Sequence, residues 1–176
     1  MAAAQTTNEP EAVREHTISR VFDVPARYLF EAYSKPEHVR RWFGPKGWPL
    51  TGCEIDFRVG GRFRFTMTGP DGTQNPPFGG TYLEIVENRR IVYSVAFDDS
   101  DASDFVATIT FDEKAGGTTL TIHALFSSAA LMKEAMGTRA QYRPGDFHHG
   151  EEGYQHGTES ALYQLEGLAR ELQAKR

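Results

Sequence analysis

One stretch of the chain, residues 36–67, constrains the fold more than any other. It begins with a helical pattern, stops at Gly44-Pro45, passes through a turn that carries Trp48, and continues as two strands joined around a pair of glycines. A proline disfavours helical geometry at the residue before it, so the helix has to end there. The stretch therefore predicts a helix followed by a β-hairpin.

The two strands of this predicted hairpin show a clean period of two. Their apolar residues alternate with charged or polar ones, which is typical of a sheet with one buried and one solvated face. The sequence therefore predicts that one side of the hairpin faces the core. The inward residues are Cys53, Ile55 and Phe57 in the first strand, and Phe63, Phe65 and Met67 in the second.

Before this stretch, the pattern predicts one strand and one short helix. The strand places Ile18 and Phe22 inward because its apolar residues alternate with polar ones. We expect Asp23 to cap the helix that follows. Ser34 and Glu37 have the spacing of a capping box, which predicts the start of the second helix.

After the hairpin, the pattern predicts four more strands, a short helix and a long terminal helix. The short helix follows Ser127 or Ser128 as its cap, and the long one is amphipathic over its whole length. Gly153 and Gly157 leave room on its apolar face. The predicted strands cover 80–86, 91–97, 105–111 and 118–126, and the predicted helices cover 127–136 and 151–173.

The order of elements predicts an α+β fold of one domain over residues 16–176, preceded by a flexible tail over residues 1–15. Strands that run together and are followed by a helix indicate α+β rather than a doubly wound fold. A twisted antiparallel sheet of this length curls, and the long helix has to bury its apolar face in the hollow. Inward-facing aromatic residues hold sheet and helix apart, which predicts a cavity between them.

Composition and charge narrow the classes of function. The chain has 176 residues, a net charge of −5 and no block of basic residues, which disfavours nucleic acid as a partner. No apolar run approaches the roughly 20 residues that span a bilayer. The N-terminus lacks the pattern of a signal peptide, and the single Cys53 cannot form an intrachain disulfide. We therefore expect a soluble cytoplasmic protein without membrane insertion.

Four motifs resemble a known family, that of the activator of heat-shock-protein-90 ATPase homologues. They read WFGPKGW at residues 42–48, FRVGGRFRF at 57–65, GTYLEIVENRRIVYS at 80–94 and EEGY at 151–154. The family belongs to the START/SRPBCC superfamily of helix-grip domains, and the resemblance covers about residues 16–172. It implies a curled antiparallel sheet wrapped around a long C-terminal helix, with two short helices near the N-terminus.

The resemblance also implies a binding cavity, since the superfamily includes lipid carriers, hormone binders and polyketide cyclases that share one. Residues 137–150 look inserted relative to typical members, at the place where the mouth of the cavity would lie. This insertion could serve as a lid over the pocket or as part of a homodimer contact, and the sequence does not separate the two.

The candidate ligand-binding residues are mainly aromatic. Each of them alone is more simply a core residue, but apolar pockets with a few polar groups are the usual ligand sites. We expect three near the rim (Trp42, Phe43, Trp48), seven on the sheet as walls, three as a mobile cover (Met132, Met136, Tyr142), and Tyr154 with Gly157 on the terminal helix. The sheet residues are Phe57, Phe63, Phe65, Tyr82, Tyr93, Phe97 and Phe126.

Groups that could support metal or acid/base chemistry cluster near the start of the long helix. His149, Glu152 and His156 stand three and four residues apart, so one helical face could present all three as zinc ligands. Their spacing is not that of a known zinc motif, and acidic residues favour a helix N-terminus without any metal. The prediction is therefore that there is no metal, no cofactor and no assigned catalytic residue.

Three functions follow from this pattern. The first is a non-enzymatic module that binds a small apolar or amphipathic molecule between the sheet and the terminal helix. The second is a cyclase- or hydrolase-like enzyme that uses His156, Glu152 or Tyr154 in the same cavity. The third, implied by the resemblance, is an interaction module that regulates a chaperone ATPase.

Overall fold

The computed structural model describes residues 14–96, 102–137 and 151–175, and within these the side chains of 134–137 and 151–156 lie outside the description. The strands and helices of the described residues are as follows, in chain order: β1 (Glu15–Phe22), α1 (Ala26–Ser34), α2 (Pro36–Trp42), β2 (Leu50–Ile55), β3 (Arg62–Met67), β4 (Phe78–Val86), β5 (Arg90–Val95), β6 (Phe105–Lys114), β7 (Gly117–Phe126), α3 (Ala129–Gly137) and α4 (Glu151–Ala174).

The seven strands form one curled antiparallel sheet in the order β1-β7-β6-β5-β4-β3-β2. Strands β2 to β7 are joined in sequence, and β1 completes the sheet by pairing with β7. The two short helices lie between β1 and β2 in the chain, and α4 follows the sheet. The predicted α+β class and the predicted order of elements are therefore confirmed.

The N-terminus of α1 differs from the prediction. Asp23 does not cap the helix. Pro25 holds the cap position, and its side chain has no atom that can accept a hydrogen bond. Instead, the Oε2 atom of Glu113 accepts a hydrogen bond from the Ala26 N–H at 2.8 Å. A carboxylate from β6 thus supplies what a local cap would supply, and it ties the helix to the sheet.

The predicted capping box of α2 is also absent. Ser34 is the last residue of α1, and its hydroxyl donates to the Glu31 carbonyl oxygen at 3.0 Å. Lys35 holds the cap position of α2, and Pro36 is its first residue. Because Ser34 satisfies a carbonyl at the end of one helix, it does not accept from the start of the next.

The connection between β2 and β3 is longer than a tight hairpin. Strand β2 ends at Ile55, so Phe57 lies in the connection and not in the strand. The Asp56 N–H donates to the Arg62 carbonyl oxygen at 2.9 Å, and Gly60 takes a positive φ of 80°. Phe57 is thereby placed beside helix α1, where its ring lies 5.7 Å from that of Phe30.

The inner face of the sheet is organised in rows of side chains that run across β5, β6, β7 and β1. Residues directly opposite each other in antiparallel strands point to the same face. The first row consists of Val95, Phe105, Phe126 and Arg14, and the second, which we call the central row, consists of Tyr93, Ala107, Ala124 and His16. The third, which we call the isoleucine row, consists of Ile91, Ile109, Ile122 and Ile18, and the fourth of Phe111, Leu120 and Arg20.

Helix α4 packs its apolar stripe against α1, α2 and β1. Among the described side chains of α4, the fully or almost fully buried residues of this stripe begin at Leu162 and run toward the C-terminal end of the helix. Among the described residues, no helix is both long and apolar enough to cross a membrane. The buried stripe consists of Leu162, Leu165, Leu168, Ala169 and Leu172.

Candidate functional site

Helix α4 is held over the sheet from two sides. On the β1 side, the guanidinium of Arg20 lies 2.7 Å from the Glu166 carboxylate. On the other side, the side-chain amide of Gln164 donates to the Gly44 carbonyl oxygen at 2.9 Å, in the loop between α2 and β2. The middle of α4 therefore bridges one edge of the sheet and the loop that leads to its other edge.

The loop that holds α4 depends on two glycines. Gly44 has a φ of +88°, and a Cβ there would lie 2.6 Å from the Trp48 carbonyl oxygen. A Cβ at Gly69 would lie 2.6 Å from the Trp48 ring, so that glycine makes room for the indole. The Lys46 N–H donates to the Ser160 hydroxyl at 3.2 Å. The motif around the tryptophans thus builds a support for the helix.

The contact between Arg20 and Glu166 relates α4 to β1. Gly157 precedes Glu166 by nine residues, or about 13 Å of helix. His16 precedes Arg20 by four residues, or about 13 Å of strand. The half-buried Gly157 and the half-buried His16 therefore lie at similar distances from this contact along their own elements.

The side chains of the central row are small in the middle and larger at both ends. Ala107 and Ala124 are 2% and 1% exposed, and they have no side chain beyond Cβ. Tyr93 at one end and His16 at the other are only half-buried. In the adjacent isoleucine row, Ile122 is likewise half-buried although it lies on an interior strand. This part of the inner face is mainly apolar, with two small buried residues at its centre and larger half-buried ones around them.

Most of the predicted aromatic residues form one continuous chain of rings on the β3–β4 side of the inner face. The ring centroids of Phe43 and Phe65 are 5.1 Å apart, those of Phe63 and Phe65 5.0 Å, and those of Phe63 and Tyr93 5.4 Å. Such edge-to-face and tilted contacts stabilise a packed cluster. The other members are Trp42, Phe57 and Tyr82.

Two ionisable groups near this cluster are held in their neutral forms. Burial raises the pKa of the Tyr82 hydroxyl far above its usual range, with a smaller contribution from Cys53. Burial likewise raises the pKa of the Cys53 thiol, although Arg40 acts in the opposite direction. Tyr82 therefore remains a hydrogen-bond donor at neutral pH, and Cys53 behaves as a small apolar residue.

The remaining predicted residues take different positions. Trp42 and Trp48, expected near a rim, are 4% and 2% exposed, and the Trp42 indole N–H donates to the Ala32 carbonyl oxygen at 2.9 Å. Phe126 lies in the first row and contacts the Phe105 ring at 5.0 Å. Met132 is half-buried on α3, which contacts β7 and α4.

Several predicted residues lie outside the description of the structure, and their roles stay predictions. Among the residues that are described, no group of three metal-binding side chains comes together. The predicted residues that lie wholly outside the description are Phe97, Tyr142 and His149. For Met136, Glu152, Tyr154 and His156, the side chains lie outside it.

Sequence reasoning did not identify the two alanines as part of a site. Ala107 and Ala124 both fall on the inward phase of their strands, and the Gly116-Gly117 turn sets the register that places them opposite each other. A search for small residues aligned across a predicted hairpin would have found them. The prediction favoured large aromatic residues instead, because those carry more of the apolar surface.

The overall architecture is shared with solved structures of bacterial proteins. A protein of Nitrosomonas europaea is 24% identical, with a TM-score of 0.74 over 91% of this chain and 96% of that chain. A protein of Chromobacterium violaceum is 26% identical, with a TM-score of 0.67 over 89% and 96%. An AHSA1-like protein of Aeromonas hydrophila is 19% identical, with a TM-score of 0.60 over 89% and 94%.

A comparison with protein-family models identifies the family to which this likeness belongs. The model of the Activator of Hsp90 ATPase homolog 1-like protein matches residues 23–169, which span most of the chain. No curated protein matches the chain. The match covers α1, α2, β2 to β7 and α4 as far as Ala169. The chain therefore belongs to the family of Activator of Hsp90 ATPase homolog 1-like proteins.

Proposed function

We propose that this protein binds a small apolar or amphipathic molecule between the inner face of the sheet and α4, without catalysing a reaction on it. The observation that carries the proposal is that Tyr93, His16 and Ile122 are only half-buried around the two small alanines of the central row. Apolar concave surfaces with a few polar groups at their margin are the usual sites for small ligands.

The arrangement around the central row supports this function. Ala107 and Ala124 lie opposite each other and provide depth, because neither has a side chain beyond Cβ. Tyr93 and His16 provide polar groups at opposite ends of an apolar floor. The remaining predicted roles, with Tyr154 as a polar contact and residues 137–150 as a cover, belong to the same proposal.

A pair of substitutions on β6 tests the site. Ala107→Leu adds an apolar side chain to the floor, whereas Thr108→Leu adds one at the next position on the opposite face. The probe is 8-anilinonaphthalene-1-sulfonate, whose fluorescence rises in apolar surroundings. We expect Ala107→Leu to lower its affinity about tenfold or more and Thr108→Leu to leave it unchanged. Equal affinities in both variants, with both folded by circular dichroism, would contradict the proposal.

Native mass spectrometry of freshly purified protein provides an independent test. A small molecule that is present in the native spectrum and lost on denaturation would support binding, and its mass would define the ligand class. The same measurement on Ala107→Leu is the control, because a molecule that binds over the central row should be reduced there and a surface adduct should not.

The family match supports a second candidate function, the regulation of an Hsp90-type ATPase. This function would act through a surface of the protein and not through the central row. The test is the ATPase rate of a purified Hsp90 with and without this protein. Stimulation that is equal for the wild type and for Ala107→Leu would favour this candidate over a ligand-binding role.

A further inference from the structure

We propose that the ligand of this site carries a carboxylate, and that Arg14 and His16 at the β1 edge bind it. This inference rests on the proposed function and specifies the class of ligand. The expected molecule has an apolar body over the alanines of the central row and one acidic end group at the β1 end of that row.

Three basic residues occupy inner-face positions on β1 and at the residue before it. Arg14, His16 and Arg20 all fall on this phase, together with the apolar Ile18 and Phe22. The whole protein has a net charge of −5, so its composition does not explain a basic strip on the inner face. A cationic guanidinium at the end of an apolar floor favours an anionic end group on a molecule bound there.

The described contact of the Arg14 guanidinium holds the group in place without neutralising its positive charge. One terminal nitrogen donates to the Phe126 carbonyl oxygen at 2.9 Å, in a partly buried position. A carbonyl oxygen accepts the hydrogen bond without adding a negative charge, and a guanidinium has five N–H donors in a planar fork. This geometry fixes the side chain on the inner-face end of β7 and suits it to a carboxylate.

Arg20 serves a different purpose from Arg14. Its guanidinium lies 2.7 Å from Glu166, which also lies 2.7 Å from Arg170. These contacts use Arg20 to hold α4 on β1. Arg14 and His16 are the basic residues of this strip whose positions in the sheet border the central row. An imidazole can donate a hydrogen bond in either protonation state.

The dimensions of the row set the size of the apolar body. Tyr93, Ala107, Ala124 and His16 lie on four successive strands, which are three spacings or about 14 Å apart in total. A medium-length alkanoic acid or an aromatic carboxylic acid of two fused rings fits this length. Its far end reaches Tyr93, while its carboxylate lies beside Arg14 and His16.

The test compares decanoate with decanol, which share an apolar chain and differ in the charge of the end group. Binding is measured by displacement of 8-anilinonaphthalene-1-sulfonate, below the concentration at which decanoate forms micelles. In the wild type we expect decanoate to bind about tenfold more tightly than decanol, because hydrogen bonds to charged groups contribute more than neutral ones. Arg14→Gln should remove this preference, and His16→Gln should reduce it.

Two variants control for charge and folding. Arg90→Gln removes the same charge from the exposed Arg90–Glu84 pair, at a distance from the site, and should leave the preference intact. Arg14→Lys keeps the charge and should retain part of the preference. Thermal melting of each variant establishes that it is folded.

The outcomes separate this inference from the function on which it rests. Equal affinity for decanoate and decanol in the wild type, with both weakened by Ala107→Leu, would overturn the carboxylate site and leave the binding function standing. A preference for decanoate that persists in Arg14→Gln would overturn the assignment to Arg14. If neither compound binds and the native mass spectrum shows bare protein, both the inference and the proposed function are wrong.

Discussion

The two ends of the inner face are built differently. At the end beneath α1 and α2, Phe22, Leu120 and Leu165 are completely buried, and Phe111 is 4% exposed. At the other end, two alanines occupy the floor, and the larger Tyr93, Ile122 and His16 around them are only half-buried. We call these the closed end and the open end. One continuous sheet forms the floor of both.

Because of this difference, we expect the closed end of the sheet to contribute most to stability and the open end to be the site of the proposed ligand binding. Large, interlocking side chains at the closed end contribute most of the free energy of folding, because each buried apolar group adds to it. Small residues at the open end contribute less, because they bury less apolar surface. Helix α4 is anchored by its buried residues from Leu162 to Leu172 and by its contacts with α1 and α2.

The largest expected effect is at the closed end. Leu165→Ala removes a completely buried side chain from α4, and we expect it to lower the free energy of unfolding by about 2–5 kcal/mol. Urea denaturation followed by circular dichroism measures this change. Leu83→Ala is the matched control, since Leu83 is 48% exposed on β4 and should cost less than about 1 kcal/mol. Similar losses in both variants would mean that the closed end is not where stability is concentrated.

A smaller effect is expected from a buried hydrogen bond at the same end. The Thr118 hydroxyl donates to the Val24 carbonyl oxygen at 2.8 Å, and Thr118 is completely buried. Thr118→Val keeps the shape but leaves this carbonyl without its donor, which should cost about 1–3 kcal/mol. Thr108→Val, on the half-buried outer face of β6, is the control and should be close to neutral. A neutral Thr118→Val would show that the carbonyl finds another donor.

The closed end was largely predictable from the sequence, because it follows from local patterns. The alternation of Phe63, Phe65 and Met67 and the apolar stripe of α4 identify buried faces without any knowledge of their partners. Hydrophobic periodicity and turn signals predicted the order of the elements. Helix caps were less predictable, since the carboxylate that binds the Ala26 N–H comes from Glu113, far away in the chain.

The open end was not predictable in the same way. Ala107 and Ala124 look like ordinary strand residues until the register places them opposite each other. Arg14 precedes the predicted first strand and was assigned to a flexible tail, so its place beside Phe126 was missed. Such a site depends on neighbours across the sheet, which single-strand patterns do not report.

The contact that holds α4 on β1 should have a modest effect on stability and a local effect on the open end. Arg20→Met removes the ion pair with Glu166 but keeps an apolar stem, so the expected loss is about 1 kcal/mol or less. Because α4 would be held less firmly beside the central row, amide hydrogen exchange should increase more around Gly157 than around Leu172. Arg90→Met, in an exposed pair on β4 and β5, should leave exchange in α4 unchanged.

The smallest expected effect is a pH-dependent one at the closed end. The hydrogen bond from Arg41, followed by that from Lys175, lowers the pKa of Glu171 to about 2. A carboxyl whose pKa is lower in the folded state stabilises the fold above its unfolded pKa, near 4.5, and loses this contribution as the pH falls toward 2. Glu171→Gln should therefore melt at a lower temperature than the wild type near neutral pH.

The difference between Glu171→Gln and the wild type should shrink between about pH 4.5 and pH 2, where the wild-type carboxyl takes up its proton. Melting temperatures of both proteins across this range, at low and high salt, provide the measurement. Glu171 is well exposed, so salt should reduce the difference. A difference that stays constant down to pH 2 would mean that Glu171 supports α4 by packing and not by its charge, and the closed end would then depend on apolar contacts alone.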